Sequence, residues 1–169
     1  MSDMTPSLVN DGLVGDNQTS HEAAVKDRLY RFGGIARLYG LPALELFGRS
    51  HIAIIGIGGV GSWAAEALAR SGIGAITLFD LDDVCVSNIN RQVHALSSTV
   101  GQMKAQAMSE RLQDINPSIN VSAVHTFVTP KNLEKHISKD FDYVFDATDS
   151  VPAKTALVAY CSRNKIRLI

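Results

Sequence analysis

The chain has 169 residues, 46% of them apolar and 20% charged, with a formal net charge of -1. That length supports one domain with a real core, the composition is that of globular proteins, and the near-neutral charge argues against a domain that holds nucleic acid by bulk charge alone. The two cysteines, Cys85 and Cys161, form no CxxC, which argues against a disulfide framework and points to a reducing cytoplasm. Residues 1–20, MSDMTPSLVNDGLVGDNQTS, have neither a basic start nor an apolar run and so do not read as a signal peptide. Their Ser, Asn, Asp, Thr and Gly content predicts a disordered arm. Residues 21–50 predict helices: HEAAVKDRLYRF, stopped by Gly33-Gly34, then a broken helix whose second piece opens at Pro42. No apolar stretch approaches the roughly 20 residues of a membrane span.

From His51 strand and helix alternate. The expected elements are strand Ile52–Ile57, helix Gly59–Ser71, strand Ala75–Phe79, helix Val100–Asn116, strand Asn120–Val124, helix Pro130–Ile137, strand Tyr143–Asp146, helix Val151–Asn164 and a strand from Arg167 to Ile169. The second helix sets Val100, Met103, Ala107, Leu112 and Ile115 on one apolar stripe. Alternating apolar strands and helices predict an α/β, Rossmann-like, doubly wound and mainly parallel sheet covered on both faces. Residues 51–169 form that nucleotide-binding domain. The last strand barely begins at Ile169, short of the usual five or six residues, so the expected fold is the N-terminal part of a larger one, its C-terminal half absent.

The chemistry concentrates between His51 and Arg91. Gly56-x-Gly58-Gly59-x-Gly61 follows a strand and opens a helix, the context in which glycines let a backbone approach phosphates at a helix N-terminus. Asp80 ends the next strand about 20 residues on, where a carboxylate takes ribose hydroxyls; capping the following turn is its blander role. Asp82 and Asp83 crowd it, and three carboxylates so close need a metal, an arginine or solvent to relieve them. Ser87, Asn88 and Arg91 fall in one short helical turn and can offer a hydroxyl, an amide and a guanidinium to a triphosphate. Lys104 stands beside the apolar stripe; without Arg91 it would read as a solvated helix lysine. Asp146-x-x-Asp149 closes the fourth strand, where a carboxylate can hold Mg²⁺ bridged to phosphates. For Asp149 the ligand role is preferred over an N-cap, which Ser150 could serve as well.

These residues resemble a known family. GIGGVGSWAAEALARSGIGAITLFDLDDVCVSNINRQ, GQMKAQ, INP and DATDS are similar to the ThiF/MoeB/HesA adenylating fold of ubiquitin-activating-type enzymes. RFGGIARLYG, DDVCVSNINRQVHAL, FVTP and AYCSRNKI resemble the branch of that superfamily that dehydrates threonylcarbamoyladenosine in tRNA. The resemblance implies ATP and Mg²⁺ as cofactors. It implies Gly59 against the phosphates, Asp80 at the ribose, Ser87, Asn88, Arg91 and Lys104 at the phosphates, and Asp149 at the metal. It also implies a homodimer, tRNA carrying threonylcarbamoyladenosine as substrate, and association with a cysteine desulfurase or sulfur acceptor system. Neither Arg31 nor Arg37 aligns cleanly with the arginine that relatives extend into a partner's site, and neither cysteine matches the family's cysteine position.

The expected reaction is ATP-dependent activation of a carboxylate as an acyl-adenylate, with Arg91, Lys104 and Asp149 as catalytic residues and Gly56, Gly58, Gly59, Gly61, Asp80, Asp82, Ser87, Asn88, Arg91 and Lys104 binding the nucleotide. In the tRNA branch the carboxylate is the threonyl one, and the product is its cyclised, dehydrated form. An alternative in the same fold adenylates a ubiquitin-like sulfur carrier protein. A nicotinamide-dependent oxidoreductase would explain the glycines and Asp80 but leave SNINR, Lys104 and Asp149 without a task. A non-catalytic nucleotide-binding fragment is the third alternative.

Overall fold

The computed structural model describes residues 15–169. Its elements in chain order are α1 (Gly15–Tyr39), α2 (Leu41–Arg49), β1 (His51–Ile55), α3 (Gly61–Arg70), β2 (Ala75–Phe79), a single 3-10 turn (Val86–Asn88), α4 (Lys104–Ile115), β3 (Asn120–Val124), α5 (Leu133–His136), β4 (Tyr143–Asp146), α6 (Val151–Asn164) and β5 (Arg167–Leu168). The five strands form one sheet in the order β3-β2-β1-β4-β5. Every adjacent pair is parallel, with Ile54 opposite both Leu78 and Phe145.

Both faces of the sheet are covered, as continuous apolar strands require. Ile52, Ile54, Ile76 and Leu78 pack with Ala65 and Ala69 of α3 and Met108 and Leu112 of α4. On the opposite face Ala53, Ile55, Phe79 and Val144 pack with Leu133 and Ile137 beside α5 and with Leu157, Tyr160 and Cys161 of α6. The alternation of Ile52 and Ile54 with Ala53 and Ile55 is the period-two geometry of a strand buried on both sides.

Beyond shifts of one to three residues at the ends of α3, α5 and β5, the structure departs from the sequence expectations at four places. Residues 15–20, assigned to the arm, are helical in α1; residues 1–14 of the expected arm lie outside the described residues. Gly33-Gly34 do not stop α1. It kinks one residue earlier, at Phe32 (φ -114, ψ 17), and the buried Phe32 ring rests against Gly72. β1 ends at Ile55 rather than Ile57, because the Ile57 N–H leaves the ladder to donate to Asp80 Oδ2 at 2.6 Å. Helix α4 starts at Lys104 rather than Val100. There Val84 N–H donates to Gln102 O (2.8 Å), Gly101 N–H to Val84 O (2.9 Å) and Lys104 N–H to Asp82 O (2.9 Å). Residues 101–104 are thereby tied to 82–84, with an antiparallel bridge between Asp83 and Met103, and Val100 is exposed, off the stripe.

Candidate active site

The order of the sheet decides where a ligand can sit. From β1 the chain winds outward to β2 and β3 on one side, then returns to place β4 and β5 on the other. The reversal opens a crevice beyond the C-terminal ends of β1 and β4, the place where open α/β sheets bind ligands. Each of the four glycines has a different task there. Gly56 has φ 89, and a Cβ on it would meet Ala147 O at 2.9 Å, so this turn excludes a side chain. A methyl group on Gly61 would overlap the Gly56 carbonyl oxygen. Gly58 faces open space, with nothing within 4 Å of a built Cβ. Gly59 borders the Arg91 stem, Cγ and Cδ each 3.6 Å from a built Cβ. No side chain caps the N-terminus of α3, which leaves its first N–H groups for an anion.

Asp80 is buried at the end of β2. One oxygen accepts the Ile57 N–H and the other the Asp82 N–H at 2.9 Å. It ties the glycine loop to the C-terminal end of β2 while its carboxylate stays at the crevice. The crowding of Asp80, Asp82 and Asp83 is eased by backbone donors, a lysine and solvent. Asp80 spreads its charge over two backbone N–H groups, Lys104 Nζ meets Asp82 Oδ2 at 2.7 Å, and Asp83 is exposed. Lys104 is a buried residue placed beside Asp82 by the pairing of 101–104 with 82–84.

Arg91 lies across the mouth of the glycine loop. Its guanidinium donates from Nη1 to Ser87 O at 2.8 Å and to Asn90 Oδ1 at 3.0 Å. Trp63 on α3 donates its indole N–H to Arg91 O at 3.0 Å, so the backbone here is gripped from the helix behind the loop. Ser87 and Arg91 are exposed, whereas Asn88 turns inward and accepts the Cys85 N–H on Oδ1 at 3.0 Å. The three residues therefore share a turn but do not present one face.

Asp146 is paired with Ile55 in the ladder, so the connection from β4 to α6 begins beside the glycine loop. Ser150 supplies the N-cap, its Oγ accepting the Ala153 N–H at 3.4 Å. Asp149 is exposed, and its carboxylate has no hydrogen-bond partner among the described residues. No group of three acidic, histidine or cysteine side chains suited to a metal occurs among the described residues. A single free carboxylate is a fit for Mg²⁺, which takes one or two protein oxygens and completes its shell with water and substrate phosphates.

Sequence reasoning missed several titratable groups that pack between α3 and α4 and beside them. Glu66, buried on α3, is held by Arg70 at 2.8 Å and by Arg111 of α4 at 2.5 Å. Burial pushes its carboxyl up, but the hydrogen bonds and charges of the two arginines hold it below its ordinary value. His94 is 1% exposed with neither ring nitrogen partnered. Burial, then the Lys104 and Arg111 cations, push it down to about 4. It forms part of the wall of a groove of about 530 Å³ that Arg70, Thr99, Glu110, Arg111 and Asp114 also line. The i,i+4 pair of Glu66 with Arg70 is visible in the local sequence, but its Arg111 partner, 45 residues away, is not. Both cysteines are free, and burial raises the Cys161 thiol, so it is no activated thiolate.

The model of the ThiF family matches residues 34–169. The tRNA threonylcarbamoyladenosine dehydratase of Escherichia coli is 62% identical over 139 residues, 82% of this chain and 52% of that protein. The protein of the same description from Bacillus subtilis is 46% identical over 141 residues, 83% of this chain and 56% of its own length. The E. coli dehydratase solved in complex with ATP superposes with a TM-score of 0.81 at 61% identity, covering 83% of this chain and 58% of that one. The chain thus spans about half the length of these relatives. No helix among the described residues is long and apolar enough to cross a membrane.

Proposed function

The chain belongs to the ThiF family, and from that premise we propose that it is the ATP-binding part of an enzyme that activates a carboxylate as an acyl-adenylate. The substrate carboxylate in this reading is the threonyl group of threonylcarbamoyladenosine in tRNA, as the names of the E. coli and B. subtilis relatives suggest. The observation that carries the nucleotide reading is the stacking of the Arg91 stem on Gly59. It sets a guanidinium at the uncapped N-terminus of α3, where a phosphate would lie.

The residues divide the work as follows. Gly58 leaves room for the phosphates, and the α3 N–H groups receive their oxygens. Asp80 takes the ribose hydroxyls, and Asp82, Ser87 and Asn88 complete the nucleotide contacts. As the substrate carboxylate attacks the α-phosphorus, negative charge moves onto the departing pyrophosphate. Arg91 and Lys104 are placed to stabilise it, an electrostatic contribution that needs no protein nucleophile. Asp149 would hold Mg²⁺, whose chemistry is to neutralise phosphate charge. Cyclisation then follows when the modification's own carbamoyl group attacks the activated carboxyl, with AMP leaving. A homodimer and a cytoplasmic setting belong to the same reading.

Calorimetric titration with ATP and Mg²⁺ tests it, with Arg91→Ala alongside. Saturable binding weakened at least about tenfold by the substitution supports the site; equal binding by both proteins overturns the role of Arg91. ATP–pyrophosphate exchange that requires threonylcarbamoyladenosine-bearing tRNA supports the dehydratase reading. Exchange that requires a Gly-Gly-ended carrier protein replaces it with adenylation of a sulfur carrier.

A further inference from the structure

The connection from β4 to α6 is only four residues long, 147–150, and every polar side chain in it except that of Asp149 is tied down. Asp146 Oδ1 accepts both the Thr148 N–H at 3.0 Å and the Thr148 hydroxyl at 2.9 Å. Its other oxygen, Oδ2, accepts from Lys154 Nζ at 2.7 Å, reaching back from the first turn of α6. At the far end Ser150 caps the helix and its carbonyl accepts the Lys154 N–H at 2.9 Å. Ala147 donates its N–H to Ile55 O at 2.9 Å, and its carbonyl closes against Gly56. The Asp149 side chain alone is left free between two fixed ends.

The Asp146–Lys154 pair is a poor way to add stability. The Asp146 carboxylate is 5% exposed and the Lys154 side chain 49%, and the desolvation of such a pair offsets most of its attraction. What the pair does supply is direction. The carboxylate gripped by Lys154 is the one that orients Thr148, the residue next to Asp149, and this link leans on the glycine loop.

We propose that Lys154 is a positioning residue: through Asp146 and Thr148 it holds the Asp149 carboxylate at the angle from which it takes the divalent cation that accompanies the nucleotide. This rests on the reading of Asp149 given above. Residues standing behind a metal ligand typically alter metal affinity by roughly 10–100-fold, and an unpaired Asp146 would turn toward solvent or toward the cation itself.

The test is calorimetric ATP affinity measured with and without MgCl₂, whose ratio is the metal's enhancement of binding. Lys154→Met is expected to reduce that ratio at least about tenfold, to leave metal-free ATP affinity unchanged, and to be rescued by Lys154→Arg. Lys154→Met combined with Asp146→Asn removes the buried charge together with its partner, so a folded protein is available, and it is expected to lose the enhancement equally. An unchanged ratio in both folded variants overturns the proposal. So does an equal loss of metal-free affinity, which would place Lys154 on the nucleotide. Asp149→Asn separates the two readings: if it abolishes the enhancement and Lys154→Met does not, the positioning role fails alone. If Asp149→Asn keeps the enhancement, the metal reading itself is wrong and the positioning role falls with it.

Discussion

Two glycines three residues apart in one loop, Gly58 and Gly61, have opposite reasons to be glycine. Gly61 has no room for a methyl group because the Gly56 carbonyl oxygen occupies that space. Gly58 has nothing within 4 Å and no positive φ, so alanine there meets neither a clash nor backbone strain. Gly61→Ala should therefore cost about 3 kcal/mol of stability, the upper end of the overpacking range. Gly58→Ala should leave urea unfolding unchanged or raise its midpoint slightly, since alanine restricts the unfolded chain, while weakening ATP binding at least several-fold. A Gly58→Ala protein that binds ATP as before would mean that the open space above Gly58 is not where phosphates lie. The same residue-scale view explains why Asn88 defeats a reading by spacing. Its position in the turn is legible, but whether its amide faces outward depends on the Cys85 N–H that it satisfies.

At the scale of elements, one side chain ties both N-terminal helices to the turn beyond α3. Arg28 of α1 donates from Nη2 to Leu44 O of α2 at 2.9 Å and to Gly72 O beyond α3 at 2.5 Å. It does so beside the buried Phe32 at the kink. Hydrogen bonds from a charged donor are worth about 1.5–3 kcal/mol each. Arg31, three residues on, makes only an exposed ion pair with Asp27 at 2.8 Å, of the kind worth well under about 1 kcal/mol. Arg28→Met is expected to lower stability to urea by about 2 kcal/mol or more, and Arg31→Met by about 0.5 kcal/mol or less. Equal losses would show that α1 is held by its apolar contacts instead. The α4 boundary is also settled between elements. The stripe from Val100 onward has helical spacing, but backbone pairing of 101–104 with 82–84 withdraws its first turn and sets Lys104 beside Asp82.

For the whole molecule, acid is the condition under which these buried charges act together. His94, pushed down to about 4 from 6.5, binds its proton more readily in the unfolded chain. Between those two values the unfolded state holds more protons, so stability falls as pH drops through that window, by as much as about 3 kcal/mol. His51, also lowered by burial, acts in the same sense. Glu66 is held below 4.5 by its arginines after burial has pushed it up; its contribution is lost only at lower pH, as it protonates. The urea midpoint should fall between pH 6.5 and 4, and His94→Leu should flatten that fall; an unaltered slope in the variant would assign the loss to other groups. Strands β2, β3 and β4 were legible to the residue, because apolar runs bounded by turn residues leave little choice of ends. So were the glycine loop, Asp80, Arg91 and Lys104 as a neighbourhood. What was not legible is carried by contacts between distant residues: Glu66 with Arg111, Lys154 with Asp146, and Phe32 on Gly72. Local spacing encodes none of these, since each depends on how the elements pack.

The chain has a single tryptophan, Trp63, whose indole is bonded to the backbone of Arg91 while the residue is 55% exposed. Its emission therefore comes wholly from the mouth of the glycine loop. A ligand that draws Arg91 forward must alter the polarity around that one fluorophore. The protein thus carries, without any label, an optical reporter of its own binding site.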